Sequence, residues 1–526
     1  MRRTIALILG AALLLSIAVL GINAEEATPI ATAADFAAMT ADGNYKLTAD
    51  ITIDASWGAD PVTPFAGTFD GDGHTVTVSA PLFVQFMGTI KNLTINSSVV
   101  KEGTANATAS YAGAIANQVP ANSENVLIEN ITVNGSVTFA YRGGSLIGQI
   151  SSGSTVTIRD CVNNAAISGG NMAGGFVGYS QSKGSKKVND ETVTTPSTLT
   201  VINCVNNGNV TIDVARGLSG VAGGIVGRYG GDDKAYNDIS NVIIKNCLNT
   251  GNVTGTSQAA GILGHARSSS VLIENCTNKG VVTSTYTAAD GGTSYAAGIF
   301  GSTPTADGHY CMVRIVKCLN EGNVTSKNSS AAGIAGYVWC GGQNGNYIFG
   351  SVIDCVNKGD VQAGSFASQL FAYTNDTRTM EEGQKQNTTI TGVGLGTVSR
   401  CAEAKREPTQ FYDAFVGLSS STKGANYNIN VILSDADTPD WFTYAESDDY
   451  KDNRSAFSNR PDTLQLVSAA DAAAAAAAIA NLGYQAPAAP SDPTAPTTGD
   501  TAVWFAVAGV VALIGMAAAF RTCKQR

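Results

Sequence analysis

The chain has 526 residues, and its 14% of charged residues is low against roughly 25% in ordinary soluble domains. Its 44% of hydrophobic residues can bury a large core and excludes a disordered chain. A formal net charge of −10 argues against a nucleic-acid-binding protein, and the three histidines are too few for most histidine-based metal or catalytic sites.

The amino terminus has the layout of an export signal. Arg2 and Arg3 precede an apolar run from Ile5 to Ile22, after which small and acidic residues follow. This order predicts a signal peptide over residues 1–24 that is cleaved after Ala24. The alternative is an uncleaved membrane anchor, although the apolar run barely reaches the length that spans a bilayer.

Residues 25–89 are expected to form an N-terminal cap and the first strands. Within them, Asp70–Gly73 reads Asp-Gly-Asp-Gly, which is the composition of a calcium-binding loop. An EF-hand loop that begins at Asp70 would end at Pro81, where a bidentate Glu is required. We therefore expect a turn here rather than a calcium site.

A repeat fills the middle of the chain and decides the fold. Each of six copies has a branched apolar residue three positions before a cysteine and an asparagine two positions after it. A Gly-rich block, for example Ala222–Gly227, follows in five of these copies. The shortest repeat is about 29 residues, too short to bury its own apolar face, so neighbouring repeats must stack into one core. The repeat cysteines are Cys161, Cys204, Cys247, Cys276, Cys318 and Cys355.

Short alternating strands at fixed spacing predict β structure rather than helix. We expect an all-β fold, a right-handed parallel β-helix of about nine three-stranded rungs, with its repeats over residues 90–400. Weaker copies at Ile90–Asn96 and Ile128–Gly135 extend the array upstream.

The Gly-rich block resembles the GLUG motif of bacterial surface proteins, and Ala222–Gly227 is its clearest copy. Phe65–His74 resembles the segment that commonly opens such β-helices. The resemblance covers roughly residues 35–400. It implies a secreted or surface-exposed, adhesin-like β-helix, and it brings with it no defined enzymatic activity; we expect no cofactor.

Ten cysteines in an exported chain raise the possibility of disulfides. Leu93 and Ile131 fill the cysteine position in the upstream copies, which favours a ladder of buried thiols over disulfides or metal ligands. Cys311 and Cys340 lie outside this ladder, in loops that follow the Gly-rich block of successive rungs. They are the candidate disulfide, and the alternative is that both remain free.

The asparagine two residues after each repeat cysteine invites two interpretations. It could form a polar binding stripe, or a corner ladder in which the residue tolerates left-handed backbone and its amide bonds to the next rung. We favour the structural ladder. The residues are Asn163, Asn206, Asn249, Asn278, Asn320 and Asn357.

Catalytic motifs of zinc peptidases, serine hydrolases and P-loop enzymes do not occur in the sequence. Some β-helices are polysaccharide lyases or glycosidases, which need acids clustered on one face. Asp160 and Asp354 occupy matching outward positions, but several rungs separate them. We therefore expect no enzyme, and a secreted carbohydrate-active β-helix enzyme is the alternative.

The longer repeats gain much of their extra length after the Gly-rich block, which places the inserted loops at one corner of the fold. Aromatic residues in and beside these loops could stack on sugars or anchor a protein. The alternative is that the rings only cover the flank of the β-helix. This candidate binding rim comprises Tyr179, Tyr229, Tyr236, Tyr310, Trp339 and Tyr347.

The array must be closed at its carboxyl end, because open strand edges would pair with other chains. Residues 401–465 are the expected C-terminal cap, and residues 466–500 an Ala-rich helix followed by a Pro-rich linker. Residues 501–526 form the expected transmembrane segment and basic tail, since 502–520 carry no charge.

A short motif precedes the apolar segment. Together with that segment and the basic tail, Ala495-Pro496-Thr497-Thr498-Gly499 resembles the sortase cell-wall sorting signal of Gram-positive surface proteins, with Ala495 in place of the usual leading Leu. The resemblance implies that sortase cuts between Thr498 and Gly499 and joins Thr498 to peptidoglycan. A plain C-terminal membrane helix is the alternative.

These features favour a non-enzymatic protein of the Gram-positive cell wall or surface. Its expected partners are sortase and peptidoglycan for anchoring, the membrane before sorting, and a glycan or protein ligand held by the loops. The alternative outside enzymology is a purely structural component of the cell envelope.

Overall fold

The computed structural model of the protein describes residues 26–103, 110–212, 220–231, 240–287, 293–303, 311–338, 350–364, 366–372, 388–394, 396, 398–400, 427–433 and 465–467. The chain divides into two compact units, Met1–Ala489 and Pro490–Arg526, and every described residue belongs to the first. The predicted signal peptide, sorting motif and transmembrane segment lie outside the described residues. Within those residues, no helix combines the length and apolarity needed to cross a membrane.

The described strands form three long parallel sheets, which confirms the predicted all-β parallel β-helix. The largest, sheet A, starts each rung. Its strands in the N-terminal and upstream rungs are Thr28–Ile30, Asn44–Leu47, Ile51–Ile53, Thr68–Asp70, Thr75–Val78, Thr89–Lys101 and Val126–Phe139. Its strands in the cysteine-containing rungs and beyond are Thr155–Arg159, Val162–Asn163, Ala166–Gly169, Ser197–Ile202, Val205–Asn206, Val210–Ile212, Ser240–Lys245, Leu248–Asn249, Val253–Gly255, Ser269–Glu274, Thr277–Asn278, Val282–Ser284, Cys311–Val316, Leu319–Asn320, Val324–Ser326, Gly350–Asn357, Val361–Ala363, Thr388–Gly394, Val398–Arg400, Tyr427–Leu433 and Gln465–Val467.

The Gly-rich block of each repeat builds the other two sheets. Sheet C comes next along the chain and sheet B closes the rung. Sheet C contains Tyr111–Ala112, Arg142–Gly144, Met172–Gly174, Val221–Gly223, Gln258–Ala260, Tyr295–Ala297, Ser330–Ala332 and Phe366–Ser368. Sheet B contains Pro64–Phe65, Phe83–Phe86, Ala116–Val119, Ile147–Ile150, Val177–Ser180, Val226–Tyr229, Leu263–Ala266, Phe300–Ser302 and Ala335–Tyr337.

Equivalent residues of successive repeats lie directly beside one another. Ile158 pairs with Val201, which in turn pairs with Ile244 of the next rung. All three side chains are buried in one continuous hydrophobic core. The stacking predicted from the repeat is therefore confirmed, and it explains how units that are too short to fold alone share a core.

The residue before each repeat cysteine bends the strand of sheet A. Its φ is positive, for example 55° at Asn203, a region that Asn and Asp enter more readily than other side chains. The prediction that the asparagine after the cysteine has this left-handed backbone was wrong. The bending residues are Asp160, Asn203, Asn246, Asn275, Lys317 and Asp354.

The asparagine after the cysteine instead forms the predicted ladder. Each carboxamide Nδ2 donates to the Oδ1 of the next asparagine at 2.7–2.8 Å, and also to a backbone oxygen two residues further along its own chain. All six side chains are buried, and Asn357 ends the row by donating to Gln369. The amide donors of this buried row are thus satisfied within the fold.

The six repeat cysteines are buried and free, as the ladder interpretation predicts. Each Sγ lies near a backbone carbonyl, such as that of Lys245 for Cys247, at 3.2 Å. Burial raises the pKa of the Cys204 thiol well above its ordinary value, and the thiol of the preceding rung, Cys161, adds to the shift. The same holds from Cys247 through Cys355, so these thiols stay protonated in the folded protein.

A short helix, α1 (Ala33–Ala37), covers the first rungs. Thr32 and Asp35 form a capping box at its start, each side chain bonding to the backbone of the other. Phe36 on this helix packs against Phe69 and Phe83 in the core. The helix therefore contributes an aromatic side chain to the core of the first rungs.

Sheet A continues beyond residue 400, where the repeat pattern predicted a cap. Tyr427–Leu433 pairs in parallel with Thr388–Gly394, and Gln465–Val467 pairs with Tyr427–Leu433. The parallel ladder therefore reaches into the segment 401–465, although the cysteine pattern has faded there.

Candidate functional site

The rungs differ in length at the turn from sheet B to the next strand of sheet A. At its shortest, this turn consists of Arg267 and Ser268 alone. Elsewhere the same turn is a long insertion, and the predicted placement of the loops at one corner is confirmed by the strands that flank them. The insertions span residues 181–196, 230–239, 303–310 and 338–349.

The first insertion contains an exposed β-hairpin, Gly184–Val188 paired with Glu191–Thr195. Positive φ angles of 49° and 63° at Asn189 and Asp190 are typical of a tight two-residue hairpin turn. Asn122 of the preceding rung holds the base of the hairpin, donating to Ser185 O and accepting from Thr195 Oγ1. The hairpin is thus fixed to the β-helix at its base, and its tip projects into solvent.

Two of the six residues predicted to line the binding rim are buried. Tyr229 is fully buried in the main core, and its hydroxyl donates to Ser197 O at 2.9 Å. Tyr179 is 3% exposed, and its hydroxyl donates to Gly230 O at 2.8 Å. Both rings lie on strands of sheet B just before a loop, so they pack against the fold instead of lining an exposed rim. The other four, Tyr236, Tyr310, Trp339 and Tyr347, lie outside the described residues.

The candidate disulfide is untested by the structure. Cys311 begins a strand of sheet A, with its backbone paired to Ser269, but its side chain and all of Cys340 lie outside the described part. Their pairing remains a prediction.

The described residues instead bring together a polar cluster that the sequence did not predict. Sheets B and C present their outward side chains to each other, and we call these two facing rows the B–C seam. The sheet C row contains Tyr111, Arg142, Met172, Val221, Gln258 and Tyr295. The sheet B row contains Gln118, Gln149, Tyr179, Arg228, His265, Ser302 and Tyr337.

Glycines of the Gly-rich block allow the two sheets to approach this closely. A Cβ on Gly223 would collide with the carbonyl oxygen of Val226, and one on Gly227 with the carbonyl oxygens of Gly178 and Ala173. The repeat therefore needs glycine at the corner where sheet C passes into sheet B. Met172, Tyr179 and Val221 form a small apolar cluster in the seam, separate from the main core.

Arg142 lies in the seam on the second strand of sheet C and is 7% exposed. Its guanidinium carbon is 4.2 Å from the ring centre of Tyr179, 5.1 Å from that of Tyr141 and 5.3 Å from that of Tyr111. Its Nη1 donates to Gln149 Oε1, whereas its buried Nε has no hydrogen-bond partner. Arg142 is therefore a buried cation whose nearest contacts are three tyrosine rings and one amide oxygen.

Burial lowers the pKa of Arg142 because the charged form loses water, and Arg228 adds to this effect through like-charge repulsion. The tyrosines oppose it only in part. Arg228, which is partly exposed, has its guanidinium carbon 5.2 Å from the centre of the Tyr179 ring. Two guanidinium groups thus contact one ring.

In the sheet B row of the seam, His265 follows Arg228 on the next strand. Its Nδ1 is 2.9 Å from Ser302 Oγ, and its Nε2 accepts from Arg267 Nε at 3.3 Å. This pattern fits a neutral imidazole with the proton on Nδ1, assigned from the hydrogen bonds.

The acidic residues weighed for catalysis lie elsewhere. Asp160 and Asp354 occupy one outward row of sheet A with other residues between them, as Asn203 donating to Asp160 Oδ1 at 3.1 Å illustrates. Asp70 accepts from the backbone N–H of Asp72, which confirms a turn at Asp70–Gly73. In the described part of the chain, no group of three or more acidic, His or Cys side chains is placed to hold a metal ion.

No family model matches the chain. Halomucin of Haloquadratum walsbyi is 30% identical over 164 residues, which are 28% of this chain and 2% of halomucin. This chain thus matches a very small part of that relative's length. A crystal structure of a candidate immunoglobulin A1 protease from Bacteroides ovatus aligns over 72% of this chain and 84% of that one, at 15% identity and a TM-score of 0.27. A TM-score this low carries no argument about function.

Proposed function

We propose that this protein is exported, anchored at the cell surface through Thr498, and serves there as a non-enzymatic scaffold that binds a glycan or protein ligand with its loops. The observation that carries this proposal is the placement of four long insertions at the turn from sheet B to sheet A. A β-helix with a continuous buried core is a rigid support, and variable loops on a rigid support are the usual carriers of binding.

Several features of the sequence support the surface location. The signal-peptide layout of residues 1–24 and the sorting-type motif Ala495–Gly499 are both expected of a wall-anchored protein. The resemblance of the Gly-rich blocks to GLUG motifs is in keeping with that location.

The experiment compares cells that display the whole chain with cells that display loop variants, on a glycan array and on a panel of host-matrix proteins. In one variant, residues 181–196 are replaced by the Arg-Ser turn found at Arg267 and Ser268. In another, Tyr236, Tyr310 and Trp339 are changed together to Ala. We expect the parent chain to bind at least one ligand and one or both variants to lose about tenfold or more in affinity, as removal of central contacts does.

Equal binding by the parent and both variants would contradict a role for the loops. Binding of no ligand by any chain would favour the purely structural alternative. Release of products from acidic or neutral polysaccharides, or from peptide substrates, by the displayed parent chain would overturn the non-enzymatic part of the proposal.

A further inference from the structure

The exposed hairpin of the first insertion is a sheet of two strands. In the described part of the chain, Gly184–Val188 and Glu191–Thr195 pair only with each other. Residues 185–194 are all exposed, so neither face of the hairpin packs on the β-helix. A two-stranded hairpin is marginally stable by itself, and the open edge of a strand is a template for another strand. The hairpin is therefore a candidate contact surface.

The two edges of the hairpin differ in their side chains. The first strand carries Lys186 and Lys187, and lysine on an edge strand opposes pairing with other chains. The second strand reads Glu-Thr-Val-Thr-Thr, and its β-branched residues favour strand pairing. The edge of the second strand is thus the one open to a partner.

The register of the hairpin determines which backbone groups of the second strand point outward. Val188 and Glu191 flank the two-residue turn and form its closing hydrogen-bonded pair. Bonding then alternates along the hairpin, so the backbone of Val193 bonds to the first strand. The N–H and C=O groups of Thr192 and Thr194 point away from the first strand, and they form the open edge.

A second copy of the same edge fits this pattern. In antiparallel pairing, Thr192 lies opposite Thr194 of the second copy, and the reverse pair forms by symmetry. The two-fold axis then passes between the two Val193 residues, which form a pair without hydrogen bonds and with Cα atoms about 4.5 Å apart. Val193 is 42% exposed, so the contact buries an apolar side chain that the hairpin alone leaves in water.

The charges of the hairpin favour the same arrangement. Asp190 and Glu191 lie at its tip, and Lys183 and Lys186 lie towards its base, where Lys186 also contacts Glu124 at 3.0 Å. Antiparallel pairing directs the acidic tip of each copy to the basic base of the other, and the attraction favours it. Parallel pairing would place the two acidic tips side by side. A second copy therefore satisfies both the hydrogen-bond pattern and the charges.

We propose that the edge Glu191–Thr195 pairs antiparallel with the same edge of a second copy of this chain, about a two-fold axis at Val193. The contact is smaller than the roughly 1,000 Å² of a stable interface, so each pairing is weak and reversible. Many copies held on one surface strengthen such contacts by raising the effective concentration. This strengthening rests on the surface anchoring proposed above, whereas the pairing itself requires no ligand.

The first test is oxidative cross-linking of the whole chain displayed on cells, with dimers measured on a non-reducing gel. Val193→Cys should give a dimer fraction about fivefold or more above that of either control, because opposed Cα atoms about 4.5 Å apart suit a disulfide. Val188→Cys is the matched control, since Val188 is 43% exposed but lies on the other strand. Thr192→Cys is the second control, because its diagonal Cα separation of about 7–8 Å is too long.

The second test exchanges charges at the two-fold axis. Two differently tagged whole chains are displayed on the same cells, and the amount of one that is co-isolated with the other is measured. Val193→Lys paired with itself, and Val193→Glu paired with itself, should each reduce co-isolation about fivefold or more, because like charges lie directly opposite each other. Val193→Lys paired with Val193→Glu should restore it.

Equal cross-linking of Val193→Cys and Val188→Cys would overturn the proposed pairing, since it would show random collision of exposed thiols. Failure of the Lys and Glu variants to restore co-isolation would overturn it as well. Either result, with loop-dependent ligand binding still present, would leave the function proposed above intact. Dimers of Val193→Cys in cells that bind no ligand would support the pairing and contradict only the ligand-binding function.

Discussion

The cysteine position shows what the repeat demands of a single side chain. The register on both sides of Cys161 places it beside Ile131, which itself pairs with Leu93. All three side chains are buried. A position that accepts Leu, Ile or Cys selects for a compact apolar group, so the thiols contribute packing rather than redox or metal chemistry.

The thiol ladder predicts a loss of stability in mild alkali. Burial raises the pKa of Cys204 and Cys247, so both keep their protons in the folded state while the same thiols ionise in the unfolded chain. Above the ordinary thiol pKa of about 8.5, the folded protein therefore holds more protons than the unfolded one, and its stability falls as pH rises. The midpoint of urea unfolding should be lower at about pH 9.5 than at about pH 7.5.

The double variant Cys204→Val/Cys247→Val provides the control for this prediction. Valine fills the position as the upstream Leu93 and Ile131 do, but it has no proton to lose. Its unfolding midpoint should fall less over the same pH interval. An equal fall in both proteins would assign the pH dependence to groups outside the ladder.

At the scale of strands, the buried asparagine row connects one rung to the next. Asn249 accepts from Asn206, donates to Asn278, and also donates to the backbone oxygen of Gly251. Changing Asn249 to Ala would leave these three buried groups without their partner. Each buried group left unsatisfied costs about 1–3 kcal/mol, so we expect Asn249→Ala to lower the free energy of unfolding by ~3 kcal/mol or more.

An outward asparagine of the same repeat provides the comparison. Asn207 is exposed and donates to Asn164 of the preceding rung at 2.9 Å, so Asn207→Ala leaves groups that water can reach. Its cost should be within about 0.5 kcal/mol. Urea denaturation of the two variants measures the difference, and similar costs would show that burial of the row does not contribute to stability.

The strands and the loop corner could be predicted from the sequence, because both follow from the repeat. Identical spacing fixes which residues stack, and Ile158 beside Val201 is the result. The left-handed position was assigned three residues from where Asn203 shows it, since Asn occurs on both sides of the cysteine and spacing alone does not separate them.

The B–C seam could not be predicted in the same way. Arg142 and Tyr179 come from different rungs and different sheets, and no spacing rule relates them. Their contact depends on how closely the two sheets approach, which the corner glycines determine. The burial of Tyr229 was missed for a related reason: an aromatic residue beside a loop can point towards the core or away from it, and sequence does not distinguish the two.

At the scale of the whole β-helix, the parallel register brings four long insertions to the turn from sheet B to sheet A. Some turns from sheet A to sheet C are also long, such as the one between the strands Val282–Ser284 and Tyr295–Ala297. Such a support can lengthen a loop without disturbing the core, because each loop connects strands whose positions the neighbouring rungs already fix. The B–C seam occupies a different part of each rung, so loops and seam can vary independently.

The proposed anchoring at Thr498 predicts which substitutions abolish attachment to the cell wall. Sortase-type attachment requires the motif around Pro496, so Pro496→Ala should abolish covalent linkage to peptidoglycan, whereas Pro490→Ala, in the same Pro-rich linker but outside the motif, should leave it intact. The measurement is the fraction of protein released from washed cell walls by a muramidase, in a Gram-positive host that expresses each chain. The parent and Pro490→Ala should be released carrying wall fragments, and Pro496→Ala should be extracted from membranes by detergent. Extraction of all three chains by detergent alone would show that residues 501–526 act as a plain membrane anchor instead.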